Sequence, residues 1–73
     1  MSKLPQVSGS DVVRALQQIG FSVRRQHGSH IIMRRNDPFT QTVVPNHRQI
    51  DRGTLRAILR QADLSVEDFT KLL

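Results

Sequence analysis

Few side chains in this 73-residue chain could do chemistry: three histidines (His27, His30 and His47), six carboxylates and nine arginines. There is no cysteine, which removes a thiol nucleophile, a thiolate metal site and any disulfide framework. A two-metal nuclease needs several carboxylates converging on its ions. Between residues 12 and 62 the only acids are Asp37, in turn chemistry, and Asp51, placed to cap a helix. A zinc site would have to draw on His27, His30 and His47. His27-x-x-His30 spans a tight turn into a strand, however, and lacks a companion carboxylate. Neither a metal nor any other cofactor is expected. Ser29 beside His30 is no sign of a catalytic triad, because no G-x-S-x-G elbow is present.

One chemistry survives with so little equipment: cleavage of RNA without a metal. RNA carries its own nucleophile, the 2′-OH, beside the scissile phosphate. An enzyme must then move protons and hold the charge that builds on phosphorus. Imidazole, with a reference pKa of about 6.5, can donate or accept a proton near neutral pH. Arginine supplies the cation, in a planar fork that matches a phosphate. His30 stands at the start of a strand, beside Gly28 and close to Arg24-Arg25. A glycine there lets a phosphate approach the backbone without meeting a Cβ. The plainer reading of the same residues is a strand histidine with Gly28 serving only its turn.

The cations are concentrated in the middle of the chain. Residues 14–60 hold all nine arginines (14, 24, 25, 34, 35, 48, 52, 56 and 60) against Asp37 and Asp51, a net +7. Residues 61–73 carry a net −2 and the first thirteen residues cancel, which gives the overall +5. Such a block is either a solvated face or a surface for a polyanion, of which nucleic acid is the commonest. Phe21, Phe39 and Phe69 are the only rings, with no Tyr or Trp, so base stacking is limited. Recognition should lean on phosphates and shape. No apolar run approaches the roughly 18 residues of a membrane span, and no signal segment opens the chain. One soluble cytoplasmic domain over residues 1–73 is expected, with 1–7 as a loosely ordered lead-in.

The elements that must position these groups follow from the pattern. Ser8 with Asp11 reads as a capping box for a helix over 9–19, whose apolar face is Val12, Ala15, Leu16 and Ile19. Val7 and Val12 form the matching staple, and Gly20 is the left-handed stop over which Phe21 folds back to Leu16. Phe21 to Gln26 alternates as a half-buried strand, His27-Gly28-Ser29 is a turn, and His30 to Arg35 is a second strand. Asn36-Asp37-Pro38 turns into a third strand, Thr40 to Val44, ended by Pro45. Asp51 caps a second helix with Leu55, Ile58, Leu59 and Ala62 on one face and Arg52, Arg56 and Arg60 on another. Ser65 with Asp68 opens a short last helix through Val66 and Phe69. The fold class is therefore α+β, α-β-β-β-α with a short extra helix and a three-stranded antiparallel meander. Met33, Leu55 and Ile58 are core. Two helices on one face of such a sheet is the plan of double-stranded-RNA-binding domains.

Three blocks at ordered spacing resemble the HicA toxins of bacterial toxin–antitoxin pairs. They are Gln26-x-Gly28-Ser29-His30, Thr42-Val43-Val44-Pro45-x-His47, and Gly53-Thr54-Leu55-Arg56-x-Ile58-Leu59-x-Gln61-Ala62. The likeness runs from about Val7 to Phe69. It implies a fold similar to a double-stranded-RNA-binding domain, and an mRNA interferase that cleaves with the histidine of the Gly-Ser-His block. Here that is His30, with Gly28 and Ser29 as its neighbours on the RNA. His47 matches the Pro-x-His block, where it either contacts RNA or orients the loop before the second helix. Arg24, Arg25 and Arg34 are the candidates for phosphate binding, and His27 reads as an exposed turn residue. The resemblance also implies a HicB-type antitoxin covering the active site. Two rivals stay open: a non-catalytic RNA-binding module of this fold, and a basic ribosome-associated protein.

Overall fold

Two reciprocal hydrogen bonds start the first helix. In the computed structural model, which describes residues 3–73, the Ser8 hydroxyl accepts from the Asp11 N–H at 3.1 Å. The Asp11 carboxylate accepts from the Ser8 N–H at 3.0 Å. Helix α1 then runs Gly9–Gln17, two residues short of the predicted end. Gly20 stops it at φ +97°, an angle that favours glycine, and the Phe21 N–H bonds back to the Leu16 carbonyl at 3.1 Å.

Three strands follow: β1 (Ser22–His27), β2 (His30–Asn36) and β3 (Phe39–Pro45). They form an antiparallel sheet in the order β1-β2-β3, so β2 is central and both outer strands are edges. Asp51 caps helix α2 (Arg52–Gln61) by accepting from the Thr54 N–H, and Ser65 caps α3 (Val66–Lys71) by accepting from the Asp68 N–H. The architecture is α+β, in the order α-β-β-β-α-α, and is compatible with the double-stranded-RNA-binding-domain plan.

The side-chain period of two splits the sheet into unlike faces. Ile31 and Met33 of β2, with Thr42 and Val44 of β3, are buried against the helices. There they meet Val12, Ala15 and Leu16 of α1, Leu55, Ile58 and Leu59 of α2, and Phe69 of α3. The Thr42 hydroxyl donates to Gln61 Oε1 at 2.5 Å and the Thr40 hydroxyl to the Gln61 carbonyl at 2.9 Å, fastening the end of α2 to β3. The alternate residues point the other way. Val43 of β3 is 44% exposed there and Phe39 66%, with no element of the described chain over them.

Two expectations change. β1 is exposed along its whole length rather than half-buried. It is an edge strand, and the aromatic that enters the core is Phe21, just before it. The end of the lead-in is also fastened. Val7 is 6% exposed within the core, its carbonyl accepts from the Ile50 N–H at 2.9 Å, and Leu4 packs against the core. Residues 1 and 2 of that segment lie outside the described residues.

Candidate functional site

The uncovered face of the sheet gathers most of the singled-out residues. Strand pairing sets Arg25 opposite Ile32, and Arg34 opposite Gln41, while Ile32 faces Val43. Between Val23 and Arg25 the register shifts, so that Arg24 is an extra residue in β1. A bulge of this kind breaks the alternation and lets neighbouring side chains share a face. Arg24 and Arg25 accordingly both line one shallow depression with Ile32, Arg34 and Gln41, about 290 Å³ in volume. None of the three strands contains a carboxylate, so nothing in the sheet itself offsets these cations.

Arg34 is the most constrained of them. It is half-buried, and its guanidinium lies 6.0 Å from the centre of the Phe39 ring. Its Nε is buried without a hydrogen-bond partner. A buried donor left unpaired costs about 1–3 kcal/mol, so the side chain gains from any acceptor it can turn onto. Arg35 is engaged elsewhere, stacked 4.9 Å from the Phe21 ring and donating from Nε to the Pro38 carbonyl at 3.3 Å.

His30 is exposed at the first position of β2, on the same face as Ile32 and Arg34. Gly28 and Ser29 form the turn before it, with Gly28 at φ +57°. Positive φ at the first central residue alone is the type II′ pattern of a two-residue hairpin. No atom stands within 4 Å of where a Cβ on Gly28 would project. The glycine is therefore required by its backbone angle and not by crowding. The Gln26 side chain secures the turn, its Nε2 donating to the Gly28 carbonyl at 2.9 Å.

Two further segments close around this turn. The Asn46 N–H donates to the Ser29 carbonyl at 2.6 Å, and the Gly9 N–H donates to the His47 carbonyl at 2.9 Å. Pro45, opposite His30 in the register, joins them. The Gly-Ser-His turn, the Pro-x-His loop and the start of α1 thus meet at one end of the sheet. His47 is exposed in that loop and does not line the arginine depression.

Sequence reasoning missed three contributors. His27 is not a turn residue: it ends β1 and pairs directly with His30. Counting two residues between His27 and His30 as a hairpin loop would have found it. Gly9 is buried where a Cβ would collide with the Pro45 carbonyl oxygen, a long-range contact with no local signal. Gln41 joins the depression through its register with Arg34.

Two of the six carboxylates, Asp11 and Asp51, are engaged at helix starts. Hydrogen bonds from the Ser8 N–H and hydroxyl hold Asp11 below the ordinary carboxylate value of 3.8. The Thr54 hydroxyl and N–H do the same for Asp51. Among the described residues no three His, Asp or Glu side chains cluster as metal ligands would. Arg52, Arg56 and Arg60 lie exposed along α2 and form a basic surface separate from the depression.

The fold and this face define a small basic α+β domain with an uncovered, cation-lined sheet. Over residues 9–64 the chain matches the family described as HicA toxin of bacterial toxin–antitoxin, and it belongs to that family. It is thus the toxin of a toxin–antitoxin pair, a class that implies an antitoxin partner. Comparison with curated proteins gave no match. No described helix is long and apolar enough to cross a membrane.

Proposed function

We propose that this HicA toxin is an endoribonuclease that cleaves mRNA without a metal and so arrests translation, with His30 as a proton-transfer residue. The observation that carries the reading is the position of His30. It is exposed on the uncovered sheet face, two residues along β2 from Ile32, which lines the depression with Arg24, Arg25 and Arg34. A strand of RNA crossing that face can set a phosphate on the arginines while the next reaches the imidazole. Gly28 and Ser29 offer the backbone of the turn to the same strand, and His47 flanks it from the adjoining loop.

The chemistry asked of the protein is modest. A base takes the 2′-OH proton, O2′ attacks phosphorus, and the arginines hold the charge that develops on the phosphoryl oxygens. Contacts to phosphate carry little sequence information, so affinity should be strongly salt-dependent and intrinsic sequence preference low. Neutralisation follows from the same face. A HicB-type antitoxin that lays acidic side chains over Arg24, Arg25 and Arg34, and apolar ones over Val43 and Phe39, would exclude RNA from His30.

Incubation of the purified chain with a defined RNA in excess chelator tests the proposal. Cleavage should persist, the upstream product should end in a 2′,3′-cyclic phosphate or its hydrolysis product, and 2′-deoxyribose at the scissile position should block the reaction. Complete inhibition by chelator, reversed by Mg²⁺, would overturn the mechanism. RNA bound and left intact by the folded protein would favour the non-catalytic binding module.

A further inference from the structure

Transesterification of RNA moves two protons, not one. As O2′ bonds to phosphorus its proton must go to a base. As the P–O5′ bond breaks, the departing O5′ must receive a proton from an acid. The attacking and leaving oxygens stand roughly in line on opposite sides of phosphorus. One imidazole fixed on a strand cannot serve both in the same step. His30 accounts for one of the two groups.

The register supplies a second. His27 and His30 are direct cross-strand partners, separated only by the Gly28-Ser29 turn. Residues that flank a two-residue hairpin loop project to the same side of the sheet, with Cβ atoms about 5 Å apart. Both histidines are exposed. The tip that carries them is held from three sides, by Gln26 Nε2 on the Gly28 carbonyl at 2.9 Å, by the Asn46 N–H on the Ser29 carbonyl at 2.6 Å, and by the β2–β3 ladder, in which His30 faces Pro45. The other charged or titratable groups on the strands and the adjoining loop are Arg24 and Arg25 on β1, Arg34 and Arg35 on β2, and His47 and Arg48 after β3; β3 itself contributes none. No carboxylate in the sheet competes to bind either imidazole.

We propose that His27 is a second catalytic residue, which with His30 forms the acid–base pair that carries the 2′-OH proton away and delivers a proton to O5′. The proposal rests on the ribonuclease reading. In the step, the neutral imidazole takes the proton from O2′ as the O2′–P bond forms. The P–O5′ bond breaks heterolytically, its electron pair stays on O5′, and the imidazolium of the other histidine protonates it. The products are a 2′,3′-cyclic phosphate and a 5′-hydroxyl. The pair keeps its single positive charge with the two roles exchanged, and proton exchange with water resets it.

The test uses two forms of one RNA, cleaved by the full-length wild type, His27→Ala, His27→Gln and His30→Ala. One form is ordinary; in the other, sulfur replaces the 5′-bridging oxygen at the scissile bond. A thiolate leaves without protonation, so the sulfur substrate makes the acid dispensable and leaves the base essential. On ordinary RNA, variants at either histidine should lose roughly 10²–10⁴-fold in rate. On the sulfur substrate one position should recover to within tenfold of wild type while the other stays impaired, and the position that recovers is the acid. RNA binding and circular dichroism should be unchanged in all four proteins. His27 variants within threefold of wild type on ordinary RNA, beside an inactive His30→Ala, would overturn this inference and leave the ribonuclease reading intact. Loss at both positions with no recovery at either would overturn the acid–base pairing. A wild type that cleaves neither RNA would overturn the ribonuclease reading itself.

Discussion

The carbonyl of Ser29 accepts a 2.6 Å hydrogen bond from the backbone N–H of Asn46. These residues lie in different loops, and the bond makes the hairpin tip before His30 and the loop bearing His47 one unit. Gly9 extends the unit into α1 through its own bond to the His47 carbonyl, at 2.9 Å. A reacting group held from several directions keeps its geometry when substrate binds, and small misplacements are costly in rate. The arrangement explains how an exposed turn can present a histidine with a defined position.

Gly9 is the most exacting position in that unit. A Cβ there would overlap the Pro45 carbonyl oxygen and stand 2.9 Å from the Asn46 Cα. Neither neighbour is a flexible side chain, so the backbone itself must move. Gly9→Ala should destabilise the fold by about 1–3 kcal/mol, the usual cost of overpacking. It should also lower the hydrogen-exchange protection of the Asn46 amide. An unchanged melting temperature and unchanged protection would show that the two loops are not coupled through this contact.

The two basic surfaces should behave differently toward RNA. Replacing Arg24, Arg25 and Arg34 together by Gln should weaken binding to single-stranded RNA. It should also reduce the slope of log K against log salt by about 2, at roughly 0.7 for each phosphate no longer neutralised. The same replacement of Arg52, Arg56 and Arg60 should change the slope by less than half as much. The reverse ranking would move the RNA from the sheet to α2.

Acid should weaken the caps. Hydrogen bonds to their carboxylates hold Asp11 and Asp51 below 3.8 in the folded chain. Each therefore contributes stability that is present above that value and lost as pH falls through the lower, folded-state value. The melting temperature should fall on acidification from pH 5 to below pH 3. In Asp11→Asn/Asp51→Asn the fall should be smaller, because Asn can still accept the capping bond but does not titrate. Equal falls in both proteins would show that the caps carry no acid sensitivity.

The helices, the three strands and the three caps were legible because each is announced locally. Ser8 with Asp11, Gly20, Asp51 and Ser65 all act within a few residues of themselves. The buried positions Met33, Leu55 and Ile58 follow from periodicity. What stayed hidden depends on register and on contacts between distant segments. One bulge at Arg24 turns two consecutive arginines onto one face, and no composition rule announces it. His27 looks like part of a turn until strand pairing sets it against His30. The staple of Val7 on Val12 was local, but the backbone bond that fastens Val7 comes from Ile50, forty-three positions away in the sequence. Gln61 carries no local sign of its role, yet hydroxyls of Thr40 and Thr42 fix it to β3.

The antitoxin should read the same face as RNA does. Its association should slow as salt rises, because Arg24, Arg25 and Arg34 steer an acidic partner. Exposed ion pairs contribute only about 0–1 kcal/mol each, so a durable complex must also cover Val43 and Phe39. Hydrogen exchange on the complex should protect β1 and the turn at Gly28-Ser29, and the complex should not cleave RNA. Protection confined to α3, with RNA still cleaved, would exclude masking of the site.

The most direct measurement is the rate at which His30→Ala cleaves a defined RNA, set beside its affinity for the same RNA. The His30 side chain is exposed and lies outside the buried core, so the variant should fold and bind as the wild type does. Cleavage should fall by roughly 10²–10⁴-fold, the contribution of a positioned proton-transfer group. A rate within tenfold of wild type, at unchanged affinity, would contradict the assignment of His30.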